Sequence, residues 1–198
     1  EAAYRTVLTR QPDAAEVLHS MGVLQAQRQN LTEAVEWMGR AAEADPGHIT
    51  AHVNRGNLLR ALGRHEEALA SYDHALTIEP GHREAGLKRC ALLTGLGRME
   101  QALAGYERVL AAAPEDLEAL FNQGVVLVAL DRLEGAVASY GRALAIKPDF
   151  VEVLNNRGIA LAHLGRKIEA LQSYDRAVAC GSRDAEAFNN RGAVLADM

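Results

Sequence analysis

Between Thr50 and Leu62, apolar residues recur at Ala51, Leu58, Leu59, Ala61 and Leu62, and Gly63 follows. That spacing puts the apolar side chains on one face of a helix. Glycine is favoured just past a helix end because it takes the left-handed backbone conformation without a Cβ clash. From about Glu66 to Ile78 a second stripe runs through Ala68, Leu69, Tyr72, Ala75 and Leu76, and Pro80 closes it. Proline has no amide hydrogen, and its ring collides with the preceding turn. The pattern predicts two helices joined by a tight turn. Gly56 and Ala68 are expected to let the two backbones approach, which leaves Tyr72 and Ala75 to pack on the helix that follows.

The same pattern returns along the whole chain. All five prolines (Pro12, Pro46, Pro80, Pro114 and Pro148) stand 34 residues apart. Ala34, Ala68, Ala102, Ala136 and Ala170 share one register; Gly22, Gly56, Gly124, Gly158 and Gly192 share another, with Cys90 in the remaining slot. Tyr4, Tyr72, Tyr106, Tyr140 and Tyr174 form a third column, interrupted by Met38. A fixed period of this length marks a tandem helical repeat whose units cannot bury their stripes alone and must stack. The expected organisation is all-α, a single array over residues 1–198. It comprises a partial repeat 1–14, full repeats 15–48, 49–82, 83–116, 117–150 and 151–184, and a partial repeat 185–198.

These columns (a small residue, Ala twelve positions on, an aromatic four later, Pro eight beyond) resemble the tetratricopeptide repeat family over the whole chain. The resemblance implies a right-handed α-solenoid of antiparallel helix hairpins, with the first helices lining a concave groove and the second helices forming the convex back. It further implies that the second, fifth, sixth, ninth and twelfth or thirteenth residues of each block face the groove. Function then sits on a binding surface, and we expect an interaction scaffold that holds an extended peptide or partner segment.

The sixth column reads Ser20, Asn54, Lys88, Asn122, Asn156, Asn190. Asparagine is a mediocre residue inside helices, because its amide competes for backbone hydrogen bonds. It also carries both a donor and an acceptor, so one side chain can pair with the C=O and N–H of an extended peptide. Helices packed about 8–10 Å apart and a peptide advancing about 3.3 Å per residue place one asparagine at roughly every third peptide residue. This column resembles the asparagine ladder in the repeat domain of the O-linked N-acetylglucosamine transferases. That likeness implies the alternative reading, a substrate-recruiting arm of a larger enzyme such as a protein O-glycosyltransferase. The candidate peptide-binding residues are Asn54, Asn57, Lys88, Asn122, Asn155, Asn156, Asn189 and Asn190, with Val53, Leu87 and Phe121 expected as an apolar part of the floor. The second column, Glu16, Thr50, Glu84, Glu118, Glu152 and Glu186, is an acidic rail. It complements the helix dipoles and favours basic or neutral peptides over acidic ones. A carboxylate clamp is not expected, since Val53, Glu84 and Glu118 stand where its basic residues belong.

Composition narrows the classes further. The chain is 48% apolar but 5% aromatic, so its core is built from Ala and Leu. A net charge of −5 and the glutamate rail oppose phosphate, which argues against a nucleic-acid partner. No run of 18 apolar residues exists, so no helical membrane span is expected. Cys90 and Cys180 are read as small packing residues inside helices and as reduced thiols of a cytoplasmic protein. Gly63, Gly97 and Gly165 are isolated helix stops, so no phosphate loop is present. His48 and His52 have a metal-like spacing, but Pro46 and Gly47 place His48 in a turn. We therefore expect no catalytic centre, cofactor or metal site in this chain.

Three further expectations concern the array itself. The chain opens and closes partway through a repeat, and is read as a segment of a longer protein whose apolar ends (Val7, Leu8, Val194, Leu195) favour end-to-end stacking. Block 83–116 is expected to be the softest, with Gly86, Gly95 and Gly105 inside its helices. Arg55–Asp73, Arg89–Glu107 and Arg157–Asp175 are expected as ion pairs within a hairpin.

Overall fold

The computed structural model describes residues 2–181 and 185–198. Among them lie twelve helices and no strand: α1 Ala2–Arg10, α2 Ala15–Gln27, α3 Leu31–Ala44, α4 Ile49–Ala61, α5 His65–Ile78, α6 Arg83–Gly95, α7 Met99–Ala112, α8 Leu117–Ala129, α9 Leu133–Ile146, α10 Val151–His163, α11 Lys167–Ala179 and α12 Ala185–Ala196. The 34-residue period is thus a helical hairpin, and no described helix is long and apolar enough to cross a membrane. The chain forms two compact units, Glu1–Leu92 and Leu93–Met198, which divide inside α6. In the first, α1 packs on α2, α2 on α3, α3 on α4 and α4 on α5; in the second, each helix from α7 to α12 packs on the next.

The turn inside each hairpin is set by backbone hydrogen bonds. Gly63 has φ +73°, and Gly63 N–H donates to Arg60 O at 3.0 Å while Arg64 N–H donates to Leu59 O at 2.9 Å. This pair of bonds satisfies carbonyls that the helix end would otherwise leave open. The same turn forms where the sequence has no glycine. Asp131 sits at φ 55°, with its N–H on Val128 O at 3.0 Å and Arg132 N–H on Leu127 O at 2.8 Å. A side chain in this conformation costs about 1–2 kcal/mol. Asp131→Gly is therefore expected to raise stability by about 1 kcal/mol, read as a higher urea midpoint with unchanged slope.

Inside each hairpin the glycine column meets the aromatic column. A Cβ at Gly56 would lie 2.6 Å from Tyr72 Cε1, one at Gly158 2.5 Å from Tyr174 Cε1, and one at Gly22 2.9 Å from Met38 Cε. The ring of Tyr72 therefore lies over Gly56 of its own hairpin. Its hydroxyl donates to Asn57 Oδ1 at 2.8 Å, on the same hairpin. Between hairpins the core is small and aliphatic. Leu18, Ala41 and Ala51 form one cluster with Leu8 and Trp37; Val53, Ala75 and Ala85 form another with Ile49 and Leu76. In the second unit Leu161, Ala170, Tyr174 and Val194 cluster with Val137 and Ile159.

Two expectations are corrected. The arginines do not pair with the acid of their own hairpin. Arg89 Nε donates to Asp73 Oδ1 at 2.6 Å and Arg191 to Asp175, each reaching 16 residues back into the preceding hairpin. Arg55 and Arg157, which have Gly39 and Gly141 at that backward position, turn forward instead. They donate to Ser71 Oγ at 3.5 Å and Ser173 Oγ at 2.8 Å. Cys180 is not a packing residue either: it is the exposed cap of α11, which Gly181 ends at φ +86°. Cys90 is buried, as expected.

Block 83–116 retains its expected softness as a prediction. Leu18, Leu120 and Leu154 are fully buried where this block has Gly86, and each helical glycine costs about 0.5–1 kcal/mol relative to alanine. Amide hydrogen exchange is expected to be faster over 83–116 than over 151–184, and slower exchange there would contradict this reading.

Candidate functional site

The first helix of each hairpin carries the sixth-column residue at the same register. In the second unit this places Asn122 on α8, Asn156 on α10 and Asn190 on α12, with α10 touching both α8 and α12. All three side chains are half-buried, and none hydrogen-bonds another described residue. Each amide therefore keeps a donor and an acceptor open beside its neighbours. Val125 and Ile159, three residues further along α8 and α10, are half-buried beside them. Glu118 and Glu152 stand exposed at the helix starts. The side chain of Glu186 lies outside the described residues.

The remaining candidates divide by environment. Asn155 is 8% exposed, and its Oδ1 is buried without a partner. Asn189 is exposed on α12, and Lys88 is half-buried on α6. Asn57 gives its Oδ1 to the Tyr72 hydroxyl, so its acceptor is committed inside the hairpin. Asn54 Nδ2 lies 2.9 Å from His19 Nε2, across the step between two hairpins. Ser20, the sixth-column residue of its block, turns its hydroxyl back onto Glu16 O at 2.8 Å. The column is thus unpaired on its asparagines in the second unit and internally engaged at its start.

The fifth column is more deeply set than the sequence suggested. Val53 and Leu87 are 2% and 4% exposed, and Val53 belongs to the core between hairpins. They support the surface without forming its floor. Phe121 is half-buried and lies near two other rings, with centroids 6.4 Å from Tyr140 and 5.7 Å from Phe150. The arginines of the seventh column spend their guanidinium groups on Asp73, Asp175, Ser71 and Ser173 and serve the packing of the hairpins.

The first unit holds a cluster that the sequence reading did not anticipate. Glu16 and His19 are the second and fifth residues of α2, and His48 is the N-cap residue of α4. One potential ligand atom from each lies within 4.8 Å of the others, the one such group among the described residues. The His19 and His48 ring centroids are 5.0 Å apart. Burial, and secondarily the neighbouring His48, holds the His19 pKa below the ordinary imidazole range against the opposing pull of Glu16. The signal was the repeat itself: stacked hairpins bring helix starts together, so the last residue of one block lies beside the second and fifth of the same block.

Comparison with known proteins agrees with this architecture. Two models described as the tetratricopeptide repeat match residues 1–49 and 49–82, and a third described as the TPR repeat matches 124–165, together more than half of the chain. No curated protein sequence matches it. Among solved structures, YrrB, a TPR protein with an unusual peptide-binding site, superposes with a TM-score of 0.82 at 20% identity, over 96% of this chain and 98% of its own. MamA gives a TM-score of 0.78 at 17% identity, over 84% of this chain and 91% of its own. A tetratricopeptide repeat protein from Parabacteroides merdae gives 0.80 at 24% identity, over 91% and 72%.

Proposed function

We propose that this chain, which belongs to the tetratricopeptide repeat family, is a non-catalytic interaction scaffold. It grips the backbone of an extended peptide along Asn122, Asn156 and Asn190. The observation that carries this reading is the open hydrogen-bonding capacity of three equivalent amides on neighbouring first helices. A side chain that binds the peptide backbone reads no sequence, so specificity falls to the surroundings. Exposed Glu118 and Glu152 disfavour acidic segments, and half-buried Val125 and Ile159 accept apolar ones. Asn155 and Asn189 extend the polar surface beside the column, and within the first unit Lys88 and Asn54 hold the same register on their own helices. The peptide-binding site of YrrB, a protein of the same fold, supports the class of ligand. The two free cysteines, Cys90 and Cys180, suit a reducing cytoplasm. The same column would serve equally as the substrate-recruiting arm of a larger glycosyltransferase.

Selection from a random library of extended peptides, followed by titration of the selected sequences, tests the proposal. Basic or neutral peptides are expected to be enriched. Binding should weaken when Asn122, Asn156 and Asn190 are replaced together by alanine. Selected peptides that bind this variant as tightly as the unmodified chain would overturn it.

A further inference from the structure

We propose that Glu16, His19 and His48 form a binding site for a divalent transition-metal ion of the zinc class, held between the starts of α2 and α4. Two imidazoles and one carboxylate are the donor set of open zinc sites, and nitrogen ligands select zinc, nickel or copper over magnesium and calcium. The geometry is close to what such an ion needs. His48 Nε2 is buried without a hydrogen-bond partner and lies 3.7 Å from Glu16 Oε1, too far for a hydrogen bond. Metal–ligand bonds of about 2.0–2.1 Å in a tetrahedron put ligand atoms roughly 3.3 Å apart, and the three potential ligand atoms here lie within 4.8 Å of one another. Glu16 can shift to close its part of the gap, since its side chain is 87% exposed whereas that of His48 is 11% exposed.

The imidazoles are already held in place. Asn54 Nδ2 stands 2.9 Å from His19 Nε2, and with this amide turned so that its Oδ1 accepts from Nε2–H the ring keeps Nδ1 for the ion, while the two histidine rings lean on each other at 5.0 Å. Such outer contacts orient metal ligands and strengthen binding. An ion here would tie α2 to α4 and so brace the first step of the array. Three protein ligands leave a fourth position open.

The test titrates the full chain, freed of metal with a chelator, with Zn²⁺ by calorimetry and with Co²⁺ by visible absorption. The expected result is one ion per chain, a tetrahedral cobalt spectrum, a raised Tm with Zn²⁺, and no response to Mg²⁺. His48→Gln and Glu16→Gln should each weaken Zn²⁺ binding at least tenfold, while His163→Gln, an exposed histidine on α10, should leave it unchanged. Glu16→Gln alters an exposed group, so it keeps the test valid if His48→Gln does not fold. Absence of binding, or stoichiometric binding that survives both variants, would overturn the assignment.

Discussion

Tyr72→Ala is expected to destabilise the first unit by about 3–5 kcal/mol, the range for deleting a buried aromatic ring. Domains of this kind are stable by only about 5–15 kcal/mol in total, so the loss should be visible as a large drop in the denaturant midpoint. The ring is fully buried over the backbone of Gly56, and its hydroxyl reaches Asn57 Oδ1 at 2.8 Å. Two companion variants separate the causes. Tyr72→Phe removes the hydrogen bond and strands the Asn57 oxygen, an effect of about 1 kcal/mol. Gly56→Ala places a Cβ against the ring, at 2.6 Å from Cε1 before any relaxation. Overpacking costs about 1–3 kcal/mol, and the better helix propensity of alanine offsets about 1 kcal/mol of that. Denaturant melts of the three variants should therefore rank Tyr72→Ala as the weakest, and a Tyr72→Ala protein as stable as the unmodified chain would contradict this packing.

The largest expected effect on binding comes from the triple variant Asn122→Ala, Asn156→Ala and Asn190→Ala. A net hydrogen bond contributes about 0.5–1.5 kcal/mol, so three lost together should weaken a selected peptide by about ten-fold to a thousand-fold at 1.4 kcal/mol per decade. Stability should move the other way. Alanine is the better helix former, and these amides make no hydrogen bond to another described residue. A variant that loses binding while its Tm holds or rises separates a ligand-gripping role from a structural one. A loss of both would assign the asparagines to the fold.

Much of the fold was legible in the sequence, because the residues that punctuate it act locally. Gly63 and Pro80 predicted helices over Thr50–Leu62 and about Glu66–Ile78, and the structure has Ile49–Ala61 and His65–Ile78. What a local pattern cannot carry is the choice between two neighbours at equal distance. Arg55 and Arg89 each have one position 16 residues back and another 16 residues ahead. Arg89 went back to Asp73 because an acid is there, and Arg55 went forward to Ser71 because Gly39 offers nothing. Five blocks were too few to tell these arrangements apart by covariation. The site shows the same division. The asparagine register was readable, whereas the tie of Asn54 to His19, and the meeting of Glu16 and His19 with His48, depend on how one hairpin steps onto the next.

The central claim is that the amides of Asn122, Asn156 and Asn190 hold a peptide backbone. Side-chain amide resonances of the ¹⁵N-labelled chain, followed during titration with a selected peptide, report on it most directly. The account predicts that the NH₂ signals of these three asparagines shift together with one binding constant. The shifts should be lost when the peptide amides that face them are N-methylated. Saturable binding that leaves all three signals in place would contradict it.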